Sequence, residues 1–219
     1  MIFKRNKLTK DKTKMTLTIT EGNITYAETD AIVNAANSDL RKGSGVCGAI
    51  FGAVKAVGGL DAQQKLTKAC NAIGHCPTGD AVITPSFGLK ASHIIHAVGP
   101  IWAGRKGNKL VAPLNDQELK QVDELASAYR AAIRVCQENN IRSVTIPSIG
   151  TGVYGFPSVV AAVVAKQICE NESGDLEVTL IAYDEKSSAT VSTAPGESFV
   201  ILNAAPSPEG LALLNGHKF

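Results

Sequence analysis

Ala31-Ile-Val-Asn-Ala-Ala-Asn37, followed across a polar bridge by Gly43-Ser-Gly45-Val-Cys-Gly48-Ala-Ile-Phe51, is the stretch whose reading decides the fold. Its first part is a short apolar run that ends in two amides, Asn34 and Asn37. Its last part is a glycine-rich loop passing into residues 49–54, where apolar residues recur at helical spacing. Strand, amides, glycine loop and helix start, in that order, build a pocket for a nucleotide anion. Glycine lets the backbone approach a phosphate, and the first unpaired N–H groups of a helix point at it with the helix dipole behind them. Each amide offers a donor and an acceptor, which suits ribose hydroxyls or a base edge.

Gly43-x-Gly45-x-x-Gly48 has the spacing of the dinucleotide fingerprint, but that motif begins directly after its strand, and here a bridge intervenes. The acidic residue required further on is also missing, because Asp61 opens an apparent helix instead of closing a strand. A dinucleotide-dependent dehydrogenase is therefore disfavoured, and a glycine turn that only packs a helix on a sheet is the plainer alternative. A second glycine loop, Ser148-Ile-Gly-Thr-Gly-Val-Tyr-Gly155, again lies between a strand and a helix. A diphosphate fits between the two loops, held by backbone N–H groups. Neither loop carries a Walker lysine, and a ligand held without Lys or Arg is better a diphosphate than a triphosphate.

Outward from these loops the chain reads as alternating strands and helices. Strands are expected at residues 16–20, 31–35, 81–84, 93–98, 141–146 and 176–182, and helices at 45–57, 61–73 and 157–169. The clearest helix carries Leu119, Val122, Ala126, Tyr129, Ile133 and Cys136 in steps of three and four, a stripe read as core packing. His96, in a nearly continuous apolar run, is read as a core histidine. This alternation predicts an α/β sandwich with helices on both faces of the sheet. With 219 residues and 44% hydrophobic content, one globular domain is expected.

The ends differ in character. Residues 1–14 carry Lys4, Arg5, Lys7, Lys10, Lys12 and Lys14 against Asp11, a net +5, so the remainder carries −3 of the total +2. They are read as a basic, disordered leader ahead of a core at 15–184, with a C-terminal extension at 185–219 for which no function is inferred. A body of that sign is no general nucleic-acid surface. Residues 102–113 read as a surface loop. No signal peptide is visible and no run approaches the length of a membrane span, so no membrane partner is expected. Five scattered cysteines (Cys47, Cys70, Cys76, Cys136 and Cys169) read as reduced thiols in cytoplasm, and Cys70, His75 and Cys76 lack the second ligand pair of a metal site. Neither a metal nor a cofactor is expected.

Four blocks in register carry a resemblance: residues 30–37 with the glycine loop, Cys76-Pro-Thr-Gly-Asp-Ala-Val-Ile-Thr84, His93-Ile-Ile-His-Ala-Val-Gly-Pro100 and Pro147-Ser-Ile-Gly-Thr-Gly-Val-Tyr-Gly-Phe-Pro157. Together they resemble the macrodomain family over roughly residues 15–184, and in particular its MacroD-type branch, hydrolases of ADP-ribosyl and O-acetyl-ADP-ribose esters. The resemblance implies a three-layer sandwich with a mixed central sheet and an ADP-ribose ligand, free or on a protein or metabolite. Nucleic acid would then be a partner only through the leader or an ADP-ribosylated end.

By the same resemblance, Gly43, Gly45 and Val46 of the first loop and Ser148, Ile149, Gly150, Thr151, Gly152 and Val153 of the second surround the diphosphate. Asn34 and Asn37 stand near the distal ribose, with Asn37 the more direct contact and the one candidate for a catalytic role, and Tyr154 flanks that ribose. Tyr183 is placed to stack on adenine beside Ile24. Asn23 stands where the family usually has an aspartate accepting from the adenine amino group, a role an amide oxygen can share. Cys47 and Phe51 stand where hydrolytic relatives carry Asp and His. A thiol does not replace that carboxylate, so the resemblance implies ADP-ribose binding with slow or undetectable hydrolysis. The alternatives are a competent hydrolase using Asn37 and ligand-assisted water, or a binder of another nucleotide or RNA end.

Overall fold

A computed structural model describes residues 17–104, 114–183 and 192. The basic leader, most of the surface loop and all of the C-terminal extension except residue 192 lie outside these residues. Six strands form one sheet: β1 (Leu17–Glu21), β2 (Ala31–Ala35), β3 (Ala81–Pro85), β4 (His93–Ala97), β5 (Ser143–Pro147) and β6 (Glu177–Ala182). Three helices alternate with them: α1 (Gly45–Ile73), α2 (Asp116–Glu138) and α3 (Ser158–Glu172). The sheet order is β1-β6-β5-β2-β4-β3. All neighbours run parallel except β3, which pairs antiparallel with β4.

Strand alternation assigns the two faces. Ala31 and Val33 of β2, with Ile95 and Ala97 of β4, enter a core shared with α2 and α3. Ile32 and Ile94 enter the opposite core, beneath α1, with Ile50, Phe51, Val54 and Leu66. The expected three-layer sandwich with a mixed sheet is therefore present, and the middle strands are covered on both sides. The apolar stripe of α2 is buried as its spacing predicts, and Asn115 and Glu118 close a reciprocal capping box at its start.

The helices expected at 45–57 and 61–73 abut as one element, interrupted only at Gly59 (φ 72°, ψ −168°). Gly58 permits the turn: a Cβ there would lie 2.4 Å from that of Ala62. At 29 residues, and with mean hydropathy 1.3 over its most apolar window, α1 is long and apolar enough to cross a membrane by length and composition. This corrects the expectation that no segment reaches that length. Gly59 divides α1, and one side of it is built into the core under the sheet.

Candidate functional site

A cleft of about 730 Å³ opens at the carboxyl ends of β2, β5 and β6, between the two glycine loops. That volume suits a nucleotide-sized ligand, and the carboxyl edge of a parallel sheet is where such ligands enter α/β folds. No charged side chain lines it among the described residues. Attraction for an anion must therefore come from backbone dipoles. Ser44, the N-cap of α1, makes no side-chain capping bond, and the first turn of α1 carries no acidic residue. The N-terminal N–H groups of α1 thus meet no side-chain cap.

Close backbone approach shapes the first loop. Gly45 has φ +56°, and a Cβ on it would meet nothing within 4 Å, so a side chain there would project into open space. Gly48 packs so tightly that a Cβ would lie 2.8 Å from the carbonyl oxygen of Gly43. Asn37 staples the bridge: its Nδ2 donates to the Arg41 carbonyl at 2.7 Å, and its Oδ1 accepts from the Arg41 N–H at 3.0 Å. The Cys47 thiol accepts from the Gly43 N–H at 3.3 Å and lies 3.7 Å from the Arg41 carbonyl oxygen. Asn37 and Cys47 thus hold the loop's shape as well as lining the cleft.

The second loop is braced from α2. The buried Tyr129 hydroxyl accepts from the Ile149 N–H at 3.1 Å and donates to the Pro147 carbonyl at 3.5 Å. Burial pushes the Tyr129 phenol far above its ordinary range, so it remains a neutral hydroxyl. Gly150 takes φ +79°, and its carbonyl accepts from Phe156, closing the loop at 3.0 Å. The Tyr154 carbonyl accepts from Trp102 at 2.8 Å, and burial raises the pKa of its phenol above the usual value. Sequence reading assigned Tyr129 to core packing alone. Its position in an apolar stripe conceals the hydroxyl's use.

Of the expected site residues, Asn23, Ile24, Asn37, Gly43, Gly45, Val46, Cys47, residues 148–154 and Tyr183 all line the cleft. Asn34 does not. Strand alternation sends it with Ile32 to the α1 side, where it is 1% exposed, and its Nδ2 contacts His96 Nδ1 at 3.1 Å and Cys47 Sγ at 3.7 Å. The ribose contact expected of Asn34 is therefore replaced by a bond to a core histidine. His96 continues to the Thr84 hydroxyl at 2.9 Å and the Cys70 thiol at 3.9 Å. Desolvation lowers the His96 pKa to about 4, so the imidazole is neutral near pH 7.

The far end of the cleft is built where β1 and β6 finish side by side. Glu21 pairs with Ala182, and the Gly22 N–H donates to the Ala182 carbonyl at 2.9 Å. Asn23 and Tyr183, the residues that follow, both line this end of the cleft, and Tyr183 is 84% exposed. The amide oxygen of Asn23 is already engaged, accepting from the Thr25 N–H at 3.0 Å and the Thr25 hydroxyl at 2.9 Å. In this structure that oxygen caps the 3-10 turn Ile24–Tyr26.

The profile of the Macro domain family matches residues 33–165. A macro domain-containing protein of Listeria monocytogenes is 40% identical over 178 residues, covering 78% of this chain and 92% of that protein. One from Caldanaerobacter subterraneus is 41% identical over 176 residues, covering 79% and 91%. Among solved structures, a mutant Oceanobacillus iheyensis macrodomain with ADPR aligns with TM-score 0.68 at 33% identity, covering 83% of this chain and 92% of that one. The Trypanosoma brucei macrodomain in complex with ADP-ribose aligns with TM-score 0.63 at 28% identity, covering 80% and 67%.

Proposed function

The chain belongs to the Macro domain family, and on that premise we propose that its cleft binds ADP-ribose, free or carried on a protein or metabolite. The observation that carries this reading is the pair of facing glycine loops at the carboxyl edge of the sheet, with no charged side chain on the cleft wall among the described residues. Backbone N–H groups from two loops suit a bridging diphosphate, which needs two shallow anion cradles and no cationic clamp. The solved complexes of relatives with ADPR and ADP-ribose support the same ligand.

Binding rather than turnover is the reading favoured at Cys47. Its thiol lies against the Gly43 N–H, the Asn34 amide and the Arg41 carbonyl, and among the described residues no carboxylate lines the cleft to act as general base. Calorimetric titration tests the reading directly. ADP-ribose should bind more tightly than AMP, which lacks the bridging diphosphate and second ribose, and more tightly than ATP. Equal affinity for AMP and ADP-ribose would refute the two-loop site. A turnover assay on the same sample, with a mono-ADP-ribosylated acidic side chain as substrate, should show slow or undetectable release.

A further inference from the structure

A chain of buried polar side chains crosses three strands on the α1 side of the sheet and ends on the first glycine loop. Its members are Thr84 of β3, His96 of β4, Asn34 of β2 and Cys47 in the first turn of α1. Asn34 pairs directly with His96 in the β2–β4 register. The Nδ2 group of Asn34 only donates, so His96 Nδ1, 3.1 Å away, must accept. The proton of the neutral imidazole is therefore on Nε2, which donates to the Thr84 hydroxyl at 2.9 Å. The second Nδ2 hydrogen goes to the Cys47 sulfur at 3.7 Å. That sulfur also accepts from the Gly43 N–H at 3.3 Å, and its own proton goes to the Arg41 carbonyl at 3.7 Å. The last member of the chain thus grips the loop backbone on both sides of Lys42.

One group is left over. Asn34 Oδ1 is buried and has no hydrogen-bond partner among the described residues. A stranded acceptor costs stability, and apolar side chains along the same path would pack there without that cost. Stability alone therefore does not account for the asparagine. What it supplies that an apolar residue cannot is a pair of donors, one anchored on His96 and one delivered to the sulfur at the loop. We propose that Asn34 is a positioning residue for the diphosphate: through Cys47 it fixes the backbone at Gly43. The Gly43 N–H is thereby turned to the sulfur, and the first N–H groups of α1, which have no intrahelical acceptor, are left aimed at the cleft. The proposal rests on the reading of the cleft as an ADP-ribose site and names what sets the shape of its first loop.

The test uses the full chain with Asn34→Leu, Cys47→Ser and Cys47→Val, each checked for folding by a thermal melt. ADP and ADP-ribose are titrated calorimetrically, and amide spectra of nitrogen-15-labelled protein follow the Gly43 resonance. Asn34→Leu should weaken both ligands by the same factor, roughly three- to ten-fold, and should move the Gly43 resonance although residue 34 makes no bond to Gly43. Cys47→Ser, which keeps an acceptor, should lose less affinity than Cys47→Val, which has similar bulk and none. A folded Asn34→Leu protein with the parent's affinities, or with an unmoved Gly43 resonance, overturns the proposal. A loss confined to ADP-ribose also overturns it, because Asn34 would then act on the second ribose. Should Asn34→Leu fail to fold, the two Cys47 variants decide, and equal affinity in both overturns the proposal. Should the parent bind neither nucleotide, the ADP-ribose reading falls, and the Gly43 resonance alone decides whether Asn34 positions the loop.

Discussion

A single carboxylate placed at Gly152 should close the cleft to its ligand without disturbing the fold. Gly152 is the suitable position because its backbone is outside the left-handed region and a Cβ there would meet nothing within 4 Å. Gly45 is less suitable, since φ +56° would strain any other residue. Glutamate at 152 would put a negative charge beside the diphosphate path. Two unit charges about 4 Å apart repel by about 1 kcal/mol in water and about 4 kcal/mol at the dielectric of a protein surface. Since about 1.4 kcal/mol is a ten-fold change, Gly152→Glu should weaken ADP-ribose by roughly five-fold to several-hundred-fold. Gly152→Gln keeps the bulk and removes the charge, so the difference between the two variants isolates the electrostatic part. That difference should shrink as salt rises. Titration calorimetry reads the affinities, and a thermal melt checks that both variants fold. A folded Gly152→Glu protein with the parent's affinity would refute the placement of the diphosphate between the loops.

Other perturbations probe the scaffold beneath the site. Asn37→Ala removes both bonds to the Arg41 backbone, each worth about 1 kcal/mol. It should weaken ADP as well as ADP-ribose, whereas a loss confined to ADP-ribose would make Asn37 a ribose contact alone. Tyr129→Phe strands the N–H of the fully buried Ile149, costing about 1–3 kcal/mol. Differential scanning calorimetry should show a Tm lower by several degrees, and an unchanged Tm would mean that the loop is braced elsewhere. His96 should make stability fall with acid. Its folded pKa of about 4 lies below the usual 6.5, so the unfolded chain takes up a proton first. Stability should drop by about 3 kcal/mol as pH falls from about 6.5 to about 4, then level off. Urea unfolding across this range should show a flatter slope for His96→Gln, and an equal slope in both proteins would count against the assignment.

Much of this architecture was legible locally. The steps of three and four in α2, the apolar runs of β2 and β4 and the two glycine loops declare their conformations through residues a few positions apart. Helix periodicity, positive φ and close backbone approach are properties of a short segment, so a short segment suffices to read them. The break at Gly59 belongs to the same class, and only the abutment of the two helical segments went unread. The resemblance of four ordered blocks then supplied the ligand class that periodicity could not.

The tertiary structure decided which partner each polar group takes. Asn34 and Asn37 stand three positions apart, yet one is buried against His96 and the other faces the cleft while gripping Arg41. Asn23 shows the same dependence at the other end of the cleft: the residue type offers a donor and an acceptor, and its oxygen is engaged by Thr25. Tyr129 and Ile149 meet only because α2 packs behind the carboxyl end of β5. The amide and hydroxyl groups are present in the sequence, but their hydrogen bonds depend on strand pairing and helix packing between distant segments. The sequence by itself determined the layers and the two anion loops, through conformational preferences that act over a few residues. Which atoms those loops and the cleft's far end turn toward a ligand was decided by the tertiary structure, because a hydrogen-bonding group already satisfied by one neighbour is not available to another.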